Sequence, residues 1–145
     1  MRTSLTLLGC LLLTSFGHRL TAQITSVGGG IQGTWELSAQ KVGKGLMVDR
    51  RKTNVREIKL IVDGHFVWSI YKTKNGSLDS AGGGTYTFEG DTYVEHLDFG
   101  SPRLGRIIDQ SQKFSVKLEG DRLIQTGVLS DGTELQEVWQ RVPPK

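Results

Sequence analysis

Cysteine is almost missing from this chain. Cys10 is the only one among 145 residues, and it lies inside an apolar N-terminal run. Beyond residue 22 there is no thiol, which excludes a disulfide framework, a thiolate nucleophile and a thiolate metal site. Proline is scarce too. Of the three, Pro143 and Pro144 follow the last expected strand, and Pro102 sits in a loop, so none interrupts a sheet. Histidine is sparse: His65 and His96 have no second His, Cys or Asp at ligand spacing, so neither a metal nor haem is expected, and no other cofactor. A surplus of one charge is also lacking. Arg2 and Arg19 supply two of the 18 basic residues, and the remaining 16 face 15 acidic ones, which gives no basis for nucleic-acid binding. Long apolar runs are absent. The longest, 5–16, is broken by Gly9, Cys10, Thr14 and Ser15 and is too short to span a membrane. Finally, Gly82-Gly83-Gly84 is followed by no Lys-Ser/Thr pair, and there is no Gly-x-Ser-x-Gly, so phosphate-loop and hydrolase signatures are both missing.

What is there begins with export. Residues 1–22 carry Arg2, a short apolar run and Leu20-Thr21-Ala22 before Gln23, the pattern of a cleaved signal peptide. A cut after Gly17 and a retained anchor helix are the alternatives. Leu7-Leu8-Gly9-Cys10 imitates a lipoprotein box, but the apolar run continues through Leu13. A secreted domain without disulfides fits Gram-negative bacterial export, secreted or periplasmic. Residues 23–32 read as a flexible lead-in, and 33–142 as one domain.

That domain is a succession of short alternating segments. In Gly33-Thr34-Trp35-Glu36-Leu37 the apolar residues fall on one face and the polar ones on the other. Further strands are expected over 55–62, 65–72, 81–88, 92–99, 111–118, 122–129 and 134–142. Asp63-Gly64, Asn75-Gly76, Glu89-Gly90-Asp91, Glu119-Gly120-Asp121 and Asp131-Gly132 supply the turns. The segment 41–54 is a long loop with room for one helical turn. The fold class is all-β, an antiparallel up-and-down barrel of eight strands. On the third segment Ile58, Leu60 and Val62 define the expected inner face, which puts Glu57 and Lys59 outside with Lys113 and Lys117. A polar outer face excludes an outer-membrane barrel.

Gly33-Thr34-Trp35 with Arg141 on the last strand resembles the calycin superfamily, in which a first-strand tryptophan packs under an arginine. Together with Gly82-Gly83-Gly84-Thr85-Tyr86, Glu89-Gly90-Asp91-Thr92-Tyr93 and Glu137-Val138-Trp139, the stretch 33–142 is similar to bacterial secreted lipocalin-like domains of unknown function. The resemblance implies a lipocalin-like barrel with one open end, closed below by Gly33, Trp35 and Arg141, and an interior able to hold a small molecule. It carries no catalytic residues. The chain departs from typical lipocalins in having no disulfide and no helix after the last strand.

Parity from an inward Trp35 places Tyr93, Glu95, Leu97 and Phe99 inside on one strand and Leu135, Glu137, Trp139 and Arg141 inside on the last. Trp68, Tyr86, Tyr93 and Trp139 are then candidate ligand-lining aromatics, with Glu95, Glu137 and Gln125 as polar candidates. Buried carboxylates must be paired, hydrogen-bonded or protonated. A Glu137–Arg141 ion pair or a Glu95–tyrosine bond is the structural solution. Gln125 faces Glu95 or, in the other register, solvent. Three functions follow: a binding module for a small, largely apolar molecule, a barrel filled by its own side chains that acts through its surface, and an enzyme using Glu95 and Glu137 as acid and base. The first, non-catalytic reading is preferred.

Overall fold

The computed structural model describes residues 30–144. The expected signal segment 1–22 and residues 23–29 of the lead-in lie outside the described residues. Nine strands follow in order: β1 (Gly33–Val42), β2 (Val48–Asp49), β3 (Val55–Val62), β4 (His65–Lys72), β5 (Leu78–Glu89), β6 (Thr92–Gly100), β7 (Ser111–Glu119), β8 (Arg122–Val128) and β9 (Glu134–Arg141). All pairings are antiparallel between neighbours, and β9 returns to β1, closing an eight-stranded up-and-down barrel. The two-residue β2 lies outside the closed ring, paired to β1 beside a single 3-10 turn at Arg50–Lys52. Among the described residues no helix is long and apolar enough to cross a membrane.

The connections sort by length, and this gives the barrel two unlike ends. Asp63-Gly64, Gly90-Asp91 and Gly120-Asp121 make tight turns at one end. Asp63 and Gly64 both have positive φ, the geometry that matches the twist of a two-residue hairpin. The connections 43–54, 73–77, 101–110 and 129–133 all lie at the other end. The tight end is plugged. Trp35 is fully buried, its indole Nε1 donates to the Ile31 carbonyl at 2.7 Å, and the Arg141 guanidinium stacks 4.1 Å from its ring. Arg141 also donates to the Gln32 and Gly30 carbonyls at 2.7 and 3.0 Å. The last residues of the expected lead-in, 30–32, are therefore held against the barrel floor, and Ile31 is part of the core.

Two inner-face expectations are corrected. On β3 it is Glu57, Lys59 and Ile61 that point inward, while Leu60 and Val62 are exposed. Pairing forces this: Lys59 stands opposite Trp35, and Ile61 opposite Phe66, and directly opposed residues share a face. On β6, Tyr93, Glu95 and Leu97 are buried as expected, but Phe99 is 52% exposed. Gly83 pairs with Phe99 and Gly84 with Leu97, so Asp98 is an extra residue on β6. Such a bulge reverses parity beyond it. The ring of Phe99 lies over Gly83, where an added Cβ would come within 2.6 Å of it.

Candidate functional site

Between the plug and the long loops the barrel is hollow. A cavity of about 240 Å³ is lined on the loop side by Val42, Ile70, Leu104, Ile107, Leu129 and Leu135. Leu104 and Ile107 come from the 101–110 loop, which folds inward over this end. Its base is fastened. Arg103 donates to Asp79 at 2.7 Å and Ser80 Oγ at 3.1 Å, and Ser101 Oγ accepts from the Ala81 amide at 2.9 Å. The cavity exceeds the ~150 Å³ of an apolar hole that takes one benzene ring and falls short of the ~300 Å³ at which drug-sized sites begin. It therefore suits a molecule of about ten non-hydrogen atoms.

Deeper in, the wall turns polar. Lys59 is buried, and its Nζ donates to Glu95 Oε1 at 2.9 Å and approaches Gln125 Oε1 at 3.4 Å. The same ammonium lies 4.6 Å from the Trp139 ring, a cation–π contact shielded from bulk solvent. Burial works against the charge on Lys59, but Glu95, Glu137 and Glu57 outweigh it and lift the ammonium above its ordinary value. Glu137 accepts from Gln40 Nε2 at 2.9 Å and Trp139 Nε1 at 3.1 Å. Its carboxyl is raised, chiefly by burial and then by Glu95, against the pull of Lys59. Glu57 is raised to about 8, first by burial and next by the charge of Glu137. Tyr93 Oη is buried without a hydrogen bond among the described residues; burial, then the nearby Glu95 carboxylate, push its phenol up.

Of the seven interior candidates from sequence, Trp68, Glu95, Gln125, Glu137 and Trp139 line this cavity. Tyr86 and Tyr93 belong to the barrel core but not to the cavity wall. Their rings, 5.4 Å apart, pack with Phe88 and with Phe114, which itself reaches the cavity wall. Gln125 faces inward, which resolves its register. The expected Glu137–Arg141 pair is not formed. Four residues along a strand separate them by roughly 13 Å, and Arg141 is spent on Trp35 and the 30–32 carbonyls. Glu95 is held by Lys59 and not by a tyrosine hydroxyl.

Sequence reasoning missed Glu57, Lys59 and Gln112. The signal for the first two was present. A two-residue turn at Asp63-Gly64 pairs Val62 with His65, so the face of Phe66, Trp68 and Ile70 must be shared by Ile61, Lys59 and Glu57. Gln112 is locked to the opposite loop: its Oε1 accepts from the Ser130 amide at 2.7 Å and its Nε2 donates to Ser130 Oγ at 3.0 Å. Among the described residues no group of three or more His, Cys, Asp or Glu side chains is placed to hold a metal ion.

Residues 30–145 match the family model of DUF4488, a domain of unknown function. No curated protein matches the chain. Solved structures that share the architecture include the following three. A lipocalin-like protein from Bacteroides uniformis is 17% identical with a TM-score of 0.56, over 79% of this chain and all of the other. An uncharacterized protein from Bacteroides eggerthii is 17% identical with a TM-score of 0.52, over 77% and 98%. A redesigned β-barrel is 19% identical with a TM-score of 0.51, over 77% and 91%. At these identities the likeness is one of fold: a lipocalin-like barrel.

Proposed function

The chain belongs to the DUF4488 family, and we propose that its barrel is a binding module that holds one small, largely apolar molecule. The observation that carries this reading is the hollow half of the barrel: about 240 Å³ with an apolar mouth and a polar floor made by Lys59, Glu95, Gln125 and Glu137. Ligand sites commonly combine such a wall with a few convergent polar groups. Side chains fill only the closed half, so a barrel packed throughout is the weaker reading. The acid–base reading needs Glu95 free to move a proton, yet Glu95 is tied to a buried ammonium at 2.9 Å.

Binding is tested with a neutral probe of the cavity's size, such as 1-naphthol, titrated against tryptophan emission. Saturable quenching is expected, weakened by Trp139→Ala and unaffected by Lys117→Ala on the outer face. No saturation, or equal weakening by both variants, would overturn the binding reading. The same proposal places the protein outside the cytoplasm, on the strength of residues 1–22. N-terminal sequencing of exported protein should begin at Gln23; a lipidated Cys10 at the start would contradict this.

A further inference from the structure

The binding reading leaves the ligand's chemistry open, and the inference below rests on that reading. The polar groups on the cavity wall can be taken in turn. Lys59 is occupied by Glu95 and Gln125. Gln112 is occupied by Ser130. Glu137 accepts from Gln40 and Trp139. Glu57 remains. It is only 7% exposed and it lines the cavity, and among the described residues no donor reaches its carboxyl and no cation lies within ion-pair distance. Buried polar side chains are nearly always partnered, and one left open on a cavity wall marks where a ligand group belongs.

Charge decides what that group is. Three carboxyl side chains, Glu57 on β3, Glu95 on β6 and Glu137 on β9, line the cavity against a single ammonium, Lys59. Arg50, in the 3-10 turn beyond β2, also acts on Glu57 but is not part of the wall. Among the described residues Lys59 is the only cation lining the cavity, and it is already neutralised by Glu95. An incoming carboxylate would add a further negative charge beside the Glu95 and Glu137 carboxyls in a site of low dielectric, where repulsion is weakly screened. An incoming ammonium would meet the unpartnered Glu57 carboxyl with the Glu137 carboxyl near it.

We propose that the cavity takes a small amphipathic amine, its ammonium donating to Glu57 and Glu137 and its apolar part lodged among Leu104, Ile107, Leu129 and Leu135. The groups facing Glu57 are Lys59 on its own strand, Glu137 two strands away on β9, Glu95 across the barrel on β6, Arg50 from the turn and the neutral Gln40 of β1. Burial and Glu137 keep a proton on Glu57 up to about pH 8, and the ammonium takes that proton's place. Affinity for the amine therefore rises as the pH is raised toward that value.

Calorimetric titration with hexylamine, 1-hexanol and hexanoate separates the head group from the tail. Hexylamine is expected to bind at least tenfold more tightly than hexanoate at pH 7.5, and Glu57→Gln is expected to bring the two within about threefold (roughly 0.6 kcal/mol). Hexanol binding with hexanoate equal to or tighter than hexylamine would overturn the amine assignment and leave the binding reading standing. Selectivity that survives Glu57→Gln would remove Glu57 from the site and overturn the assignment as well. If none of the three binds, both readings fail.

Discussion

Glu57 and Lys59 stand two positions apart on one strand face, and the barrel treats them oppositely. Lys59 is satisfied by Glu95, Gln125 and the Trp139 ring, whereas Glu57 is kept neutral. An ordinary glutamate releases its proton near 4.5, and Glu57 holds its own to about 8. Between these values the folded chain binds a proton that the unfolded chain has lost. Its contribution to stability is complete below the lower value and is gone above the upper one. A shift of this size corresponds to on the order of 5 kcal/mol, and Glu137, also raised, acts in the same direction. The urea midpoint is thus expected to fall from pH 5 to pH 8, and Glu57→Gln should flatten that fall. Identical slopes in parent and variant would contradict the buried, protonated Glu57. Removing the partner of a buried charge acts differently. Lys59→Met leaves the Glu95 carboxylate uncompensated and should cost about 3–5 kcal/mol. Adding Glu95→Leu should return most of the loss, as read from denaturant midpoints. If the double variant is no more stable than the single one, the ion pair is not the source of the cost.

At the scale of elements, one rule succeeded and one failed, for a physical reason. The Gly-Asp and Asp-Gly turns correctly bounded the strands, because positive φ at Gly64, Gly90 and Gly120 leaves a chemical trace in the sequence. The inner face of β3 was misread because both its faces look sheet-compatible: Ile58, Leu60 and Val62 on one, Ile61 with two charged residues on the other. The Asp63-Gly64 hairpin register carries the inward placement of Glu57 and Lys59, whereas the Glu95 and Gln125 side chains that hold Lys59 are distant in sequence and leave no local pattern. The β6 bulge was equally silent, although Gly82-Gly83-Gly84 marked its neighbourhood. Gly84 is bare because the strand beside it comes too close: an added Cβ would collide with the His96 carbonyl and lie 2.7 Å from the Asp98 amide. Gly84→Ala is accordingly expected to destabilise by about 1–3 kcal/mol. An unchanged thermal midpoint would show that β5 and β6 can separate without cost.

Across the whole molecule, the barrel is divided along its axis. The tight-turn end is sealed by Trp35, Ile31 and Arg141, and Tyr93, Phe114 and Phe66 fill the space behind them. The long-loop end is hollow, with Leu104 and Ile107 folded over it from a loop fastened at its base. The sequence made the sealed end legible through Gly33, Trp35 and Arg141. It left the hollow end obscure because cavity walls are made of ordinary strand residues. The three tryptophans sample this division. Trp35 is in the seal, while Trp68 and Trp139 line the cavity. Their indole N–H resonances in a 1H–15N spectrum, followed during titration with 1-hexanol, therefore report directly whether the hollow half is a binding site. Saturable shifts of the Trp68 and Trp139 signals with a stationary Trp35 signal are the expected result; no saturable shift, or equal movement of all three, would contradict it.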